Sequence, residues 1–255
     1  SYYAKTRSGI HTMSYLLLLL ATLATSLISG VLSMAGGMIL MGVFSLFLSV
    51  PAAMVLHGIA QSFSNGSRVW LYRRHIKWTV LIPYGLGSLI VLLLFIWLTL
   101  VPDKALIFIV IGSFPFLAMA LPTNINLDMQ RTCIAFLSGI VVTLAQMLAG
   151  ASGPVLDVFY VKSSLTRHEI LGTKAITQTL GHMIKLSYYA YFFSLSITLP
   201  VWVYTGVIIA AIAGNAIGKT IVERIDDHQF KLIGRYLIMA IGLLYIAKGM
   251  MDLFS

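Results

Sequence analysis

The chain has 255 residues, of which 59% are hydrophobic and 10% charged. Soluble domains carry about 25% charged residues, so this composition excludes a water-soluble fold and points to an integral membrane protein. The net charge of +9 would suggest a nucleic-acid partner in a soluble protein, but most Lys and Arg fall in loops, where the positive-inside rule explains them without one.

The opening stretch SYYAKTRSGIHTMSY has no small-residue cleavage site behind its apolar run and does not read as a signal peptide; residues 1–13 are expected to form an N-terminal tail. Apolar blocks then follow at about 14–33, 38–49, 52–72, 79–100 and 104–121. After the polar stretch 122–129, read as a linker, come 130–148, 154–162, 166–193, 199–220 and 230–254. Blocks of membrane-spanning length, without ten-residue alternation, predict helices and not a barrel. The expected fold is therefore an all-α polytopic membrane protein with two repeats, 14–121 and 130–255, of about five segments each. Cys133 is the only cysteine, which excludes an internal disulfide and a thiolate metal cluster. No cofactor is expected, and a homo-oligomer is left open.

Two blocks are too short to cross. A twelve-residue helix spans roughly 18 Å against a hydrocarbon core of ~30 Å. Each follows a glycine break, SMAGGMIL (33–40) and AGASGPVL (149–156), and the breaks align at an offset of 116: Ala35 on Ala151, Gly37 on Gly153, Leu40 on Leu156. Interrupted segments in corresponding positions mark carriers made of internal repeats. If the short segments dip and return, the halves are parallel and the loop Lys and Arg divide 8 to 7. If they connect opposite sides, the halves are inverted and the division is 11 to 4, which the positive-inside rule favours.

Block 166–193 carries Lys174, Gln178, His182 and Lys185 on one helix face, within an arc of about 80°. A lysine at the bilayer centre costs about 2.5–3.5 kcal/mol, so this stripe marks a functional interior. The first half answers with His57, Gln61, Asn65 and Arg68 at similar spacing. Two such stripes are expected to line one central cavity. Arg68 and Lys185 also suit snorkelling from helix ends, whereas Lys174, flanked by Gly172 and Thr173, reads as the interior cation. Asp157 is the one acid well inside an apolar segment. A hairpin turning near Ser163–Ser164 would set it at the depth of Lys174, as an ion pair or a proton-coupling group. His57 and His182 titrate near neutrality and are the other proton-coupling candidates. The breaks, with Gly36, Gly37 and Gly153, free backbone groups and start short helices whose positive ends suit an anion, or they serve close packing. Lysines outnumber the lone intramembrane acid, which disfavours a cation or metal carrier. The stretch GASG (150–153) with a distant histidine offers another alternative, an intramembrane serine hydrolase using Ser152 and His182.

Three stretches together resemble the sulfite exporter TauE/SafE family of membrane transporters. They are the two glycine breaks, LGTKAITQT with its degenerate counterpart LHGIAQSFS, and the basic loop YRRHIKW (72–78) that leads into a helix start. The resemblance implies export, or in some members uptake, of sulfite or an organosulfur anion, with no enzymatic activity. It implies alternating access about a midplane site in the cell membrane, and fits a role for Lys174 in neutralising the anion.

Overall fold

The computed structural model describes residues 2–32, 35–194, 198–222, 224 and 226–255; Ser33 and Met34, which open the first glycine break, lie outside the described residues. Among the described residues ten α-helices follow one another: α1 Tyr2–Leu32, α2 Ala35–Phe47, α3 Val50–Tyr72, α4 Trp78–Leu98, α5 Lys104–Ala120, α6 Thr132–Ala149, α7 Gly153–Val158, α8 Arg167–Phe193, α9 Val201–Val222 and α10 Asp227–Phe254. Stretch 2–13, expected as a tail, is the start of α1. Among the described residues, helices α1, α4, α6, α9 and α10 are both long and apolar enough to cross a membrane. Helices α3 and α8, at 23 and 27 residues, have the length but carry the polar stripes.

Local chemistry sets several boundaries. Ser49 caps α3, accepting from the Ala52 amide, with Pro51 in the first turn where its missing N–H costs nothing. Thr166 and Glu169 form a capping box at the start of α8. Helix α6 ends at Gly150, whose left-handed φ of 79° suits glycine and whose amide donates to the Gln146 carbonyl. Helix α7 is shorter than the expected 154–162, because residues 159–162 leave the helix in turns. With under two turns it has little macrodipole to offer an anion.

Several helix contacts of α1–α5 have matching contacts in α6–α10. Helix α1 packs on α9, and its counterpart α6 packs on α4; α3 packs on α9 as α8 does on α4. The α4–α6 crossing is close because Gly87 and Gly139 bring the backbones together: a Cβ on Gly139 would lie 2.1 Å from the Tyr84 carbonyl oxygen. Helices α5 and α10 meet likewise at Gly112 and Gly242. The two self-paired contacts run antiparallel. On α3 and α8, His57 meets Lys185 while the Tyr72 carbonyl lies against Gly172. On α5 and α10, Gly112 meets Gly242 while Ala105 lies against Gly249.

The short helices return the chain to the side from which the preceding long helix came. Gly36 lies against Thr25 and Ser29 of α1, and α2 then runs back to Ser49. After α7, the Phe159 carbonyl accepts from the Met129 amide and Ser164 from Gln130, so residues 159–164 sit beside the start of α6. Outward-facing side chains such as Ile82, Leu93, Trp97 and Met251 are apolar, which suits lipid.

Candidate functional site

The two breaks meet the two polar stripes at the centre of the helix pack. There a small cavity of about 10 Å³, room for about one water-sized sphere, is lined by Ser29, Gly37, Gln61, Ala151, Ser152, Gly153, Gln178 and His182. Gly37 and Gly153 are the aligned positions of the breaks, and Gln61 and Gln178 the matching glutamines of the stripes. Equivalent residues of both halves thus face one space.

One hydrogen-bonded network binds these walls. His57 Nε2 lies 2.8 Å from the Gly37 carbonyl oxygen, and Lys185 Nζ lies 2.7 Å from His57 Nδ1. The same ammonium donates to the Gly150 carbonyl at 2.7 Å. Ser152 donates to Gln146 Oε1 at 2.6 Å, and Gln146 Nε2 lies 2.6 Å from His182 Nδ1. The two chains of bonds meet at the Gly150 carbonyl, to which Gln146 Nε2 also donates at 3.4 Å, and the imidazoles of His57 and His182 pack with centroids 5.4 Å apart. The freed Gly150 carbonyl gains a side-chain partner, as backbone at membrane depth requires. Tyr189 adds another, donating to the Met147 carbonyl at the end of α6.

Lys185 is fully buried. It stands eight residues before the end of α8, about 12 Å along the axis, too far inside to snorkel; the expectation of a helix-end lysine is corrected. The ammonium sits at the C-terminal end of α6, where free carbonyls favour a cation.

The other expected residues divide. His57 joins Lys185 behind the cavity wall. Asn65 donates to the Gln61 carbonyl and approaches its side-chain oxygen, so it orients a cavity residue. Gly36 serves packing, since a Cβ there would meet the Ser29 hydroxyl at 1.9 Å. Thr173 accepts from the Lys77 amide and ties α8 to the basic loop, away from the cavity. Lys174 forms an ion pair with Asp157, as the hairpin argument expected; the Lys174 side chain is 10% exposed and that of Asp157 42%, placing the pair nearer a mouth than the centre. Beyond it, Lys77 and Glu169 pair at 2.7 Å. The hydrogen bond from Lys77, with that from the Thr166 amide, holds the Glu169 carboxyl below the usual carboxylate range. Arg68 turns inward to Asn215 of α9 at 3.1 Å.

Gln146 was not anticipated from the sequence. A lone glutamine in the apolar helix VVTLAQMLAG, four residues before Gly150, carries the same signal as the lysines, a polar side chain at membrane depth. It stands between Ser152 and His182 and occupies both, so the geometry is not that of a serine activated by its histidine.

Comparison with curated proteins and with solved structures gives no match. A family model, Sulfite exporter TauE/SafE, matches residues 17–245. With nearly the whole chain covered, including both breaks, both stripes and the charged mouth, the protein belongs to the sulfite exporter TauE/SafE family, and it is a multi-pass membrane transporter of the anion type and not an enzyme.

Proposed function

We propose that this chain exports sulfite or a small organosulfur oxyanion across the cell's inner or plasma membrane, by alternating access about the central cavity and with protons as the coupling ion. The observation that carries the reading is the cavity shared by the two breaks, with Gly37 and Gly153, Gln61 and Gln178 on its walls and the fully buried Lys185 behind it. Amides and a hydroxyl suit an oxyanion's acceptor oxygens, and a nearby ammonium offsets its charge at a depth where water does not. A lysine in that place opposes a cation as cargo.

Inverted halves belong to the same reading. A two-fold axis in the membrane plane sets equivalent helices antiparallel, and the paired equivalents α3–α8 and α5–α10 run that way. The return of α2 and α7 leaves three further crossings in each half, an odd number, which reverses the second half. Arg68, Arg73, Arg74, Lys77, Arg131, Lys162, Arg167, Lys219, Arg224, Lys231 and Arg235 then share the cytoplasmic side, with Lys5, Arg7, Lys104 and Lys248 outside. On this assignment the Lys174–Asp157 pair stands at the inner mouth. His57 and His182 carry protons at the centre, and Asp157 does so at the mouth.

The test is thermal stability of the purified chain with sulfite, sulfate, thiosulfate, taurine and sulfoacetate in turn. A ligand at a hundred times its Kd adds about 2.7 kcal/mol. Sulfite or one of the sulfonates should shift the transition, and sulfate less. A panel in which none does, beside a shift by a metal cation, would sink the anion reading.

A further inference from the structure

We propose that Lys185 is a tethered counter-cation: its ammonium takes the free carbonyl at the end of α6, where a free coupling cation would otherwise sit, and is tied through His57 to the first half, so that transport requires no sodium or other metal ion. The inference deepens the anion-carrier reading above and rests on it for its flux measurements.

The geometry points to this role. In carriers built on interrupted helices, unwound carbonyls and half-helix C-terminal ends coordinate the coupling cation. Here the C-terminal end of α6 offers the Gly150 carbonyl, and Lys185 Nζ takes it at 2.7 Å. On the other side Lys185 reaches the first turn of α2 through His57, at 2.7 Å to Nδ1 and then 2.8 Å from Nε2 to the Gly37 carbonyl. One side chain therefore spans the two halves. Among the described residues no carboxylate pairs with Lys185; the hydrogen-bond partners of its ammonium are the Gly150 carbonyl and the His57 ring. An arriving anion is the stronger partner.

The bond to His57 lets the charge move without breaking the network. With the ammonium charged, Nζ donates to Nδ1, and the neutral ring donates from Nε2 to Gly37. Transfer of one proton breaks an Nζ–H bond and forms Nδ1–H. The imidazolium then donates to both the amine and Gly37, while the amine still donates to Gly150. The pair keeps a single positive charge in either state. The other titratable group facing it is His182 of α8, whose ring is 5.4 Å from that of His57. The packed faces of α2 and α6 bring no ionisable side chain to this point, Asp157 of α7 is engaged by Lys174, and Tyr189 of α8 donates to Met147.

The experiment uses the full chain in proteoliposomes with radiolabelled sulfite. Wild-type flux should stay within twofold when sodium is replaced by potassium or choline; a sodium requirement would overturn the proposal without recourse to any variant. Lys185→Ala removes three methylenes and the amine, the shape of n-propylammonium. Flux should fall at least tenfold and recover several-fold with millimolar n-propylamine, but not with choline. A folded Lys185→Ala that transports like wild type, or that n-propylamine leaves inactive, would equally overturn it. Melting temperature needs no cargo. n-Propylamine should raise it for Lys185→Ala and not for wild type, whichever anion proves to be carried. Loss of sulfite flux in wild type with that amine effect intact would refute the substrate and leave the tethered cation standing. Absence of the amine effect refutes the tethered cation even where sulfite is carried.

Discussion

Replacing Gln146 by leucine keeps the volume of the side chain and deletes its amide. Two partners are then orphaned, the Ser152 hydroxyl and His182 Nδ1, each bonded at 2.6 Å and each on a residue 3% exposed. A buried polar group left unsatisfied costs about 1–3 kcal/mol, so the pair of losses amounts to about 2–6 kcal/mol. For a chain of this size a kilocalorie moves the melting temperature by about 2–4 °C, giving an expected drop of roughly 5–20 °C. The amide also fixes the ring: with Nε2 of Gln146 donating to Nδ1, the proton of neutral His182 lies on its Nε2. A ring free to turn presents the wrong atom to an anion half the time, so sulfite affinity should weaken about twofold. Gln146→Asn retains the amide on a stem one methylene short, reaches one partner and not both, and should fall between wild type and Gln146→Leu. Differential scanning fluorimetry and equilibrium sulfite binding on the same preparations read both numbers. If Gln146→Leu melts within 2 °C of wild type and binds sulfite as tightly, the network is incidental to the cavity.

Further expectations concern the mouth, the topology and the packing. Lys174→Gln should change stability by under about 1 kcal/mol, because the ion pair is partly exposed. Its sulfite affinity should fall less than in Lys185→Gln, as measured by equilibrium binding. With Cys133→Ser as background, single cysteines at Arg74 and Arg224 should react with an impermeant reagent from the same, cytoplasmic, face; labelling from opposite faces would end the inverted arrangement. Gly139→Ala drives a methyl into the Tyr84 carbonyl at 2.1 Å, forcing α4 and α6 apart, and should cost about 1–3 kcal/mol in thermal melts. The Lys77–Glu169 pair lowers the folded-state value of Glu169, so its contribution is fully present above the ordinary carboxylate range and lost as pH falls through the lower folded value. Wild type and Glu169→Gln should therefore differ in melting temperature at neutral pH and converge in acid.

The membrane made much of this fold legible. Hydrocarbon admits backbone only as helix or closed barrel, and apolar blocks without a barrel's alternation declared themselves helices. The short blocks behind glycine breaks declared the two returns. The ion pair of Lys174 and Asp157 followed from a hairpin that only needed Ser163–Ser164 to turn. Three-dimensional depth was less legible. Lys185 looks close to a helix end because aromatic residues follow it, SYYAYFF, and tyrosines often mark an interface. In the structure Tyr188 and Tyr189 are buried, donating to the Leu100 and Met147 carbonyls, and they carry the helix on past the lysine. Gln146 escaped because a search for stripes rewards several polar residues on one face, and α6 has a single long polar side chain.

On the inverted arrangement proposed above, depth also accounts for the weakness of the internal repeat. At an offset of 117 the stripes superpose, His57 on Lys174, Gln61 on Gln178, Asn65 on His182 and Arg68 on Lys185. Because α3 and α8 are antiparallel, equivalent positions lie at opposite depths, apart from those near the axis. The glutamines at positions 61 and 178 are near it, and they are identical. Away from it the demands diverge. The contact of His57 with Lys185 is closed off from solvent, and its counterpart would join positions 174 and 68. That end holds Lys174 beside the partly exposed Asp157, and Arg68 bonded to Asn215. A buried end must satisfy its cation with neutral groups, here a carbonyl and an imidazole. An end open to a mouth can hold a carboxylate that water helps to release. The same fold at two depths thus selects different residues, and identity between the halves persists only where both share one cavity wall.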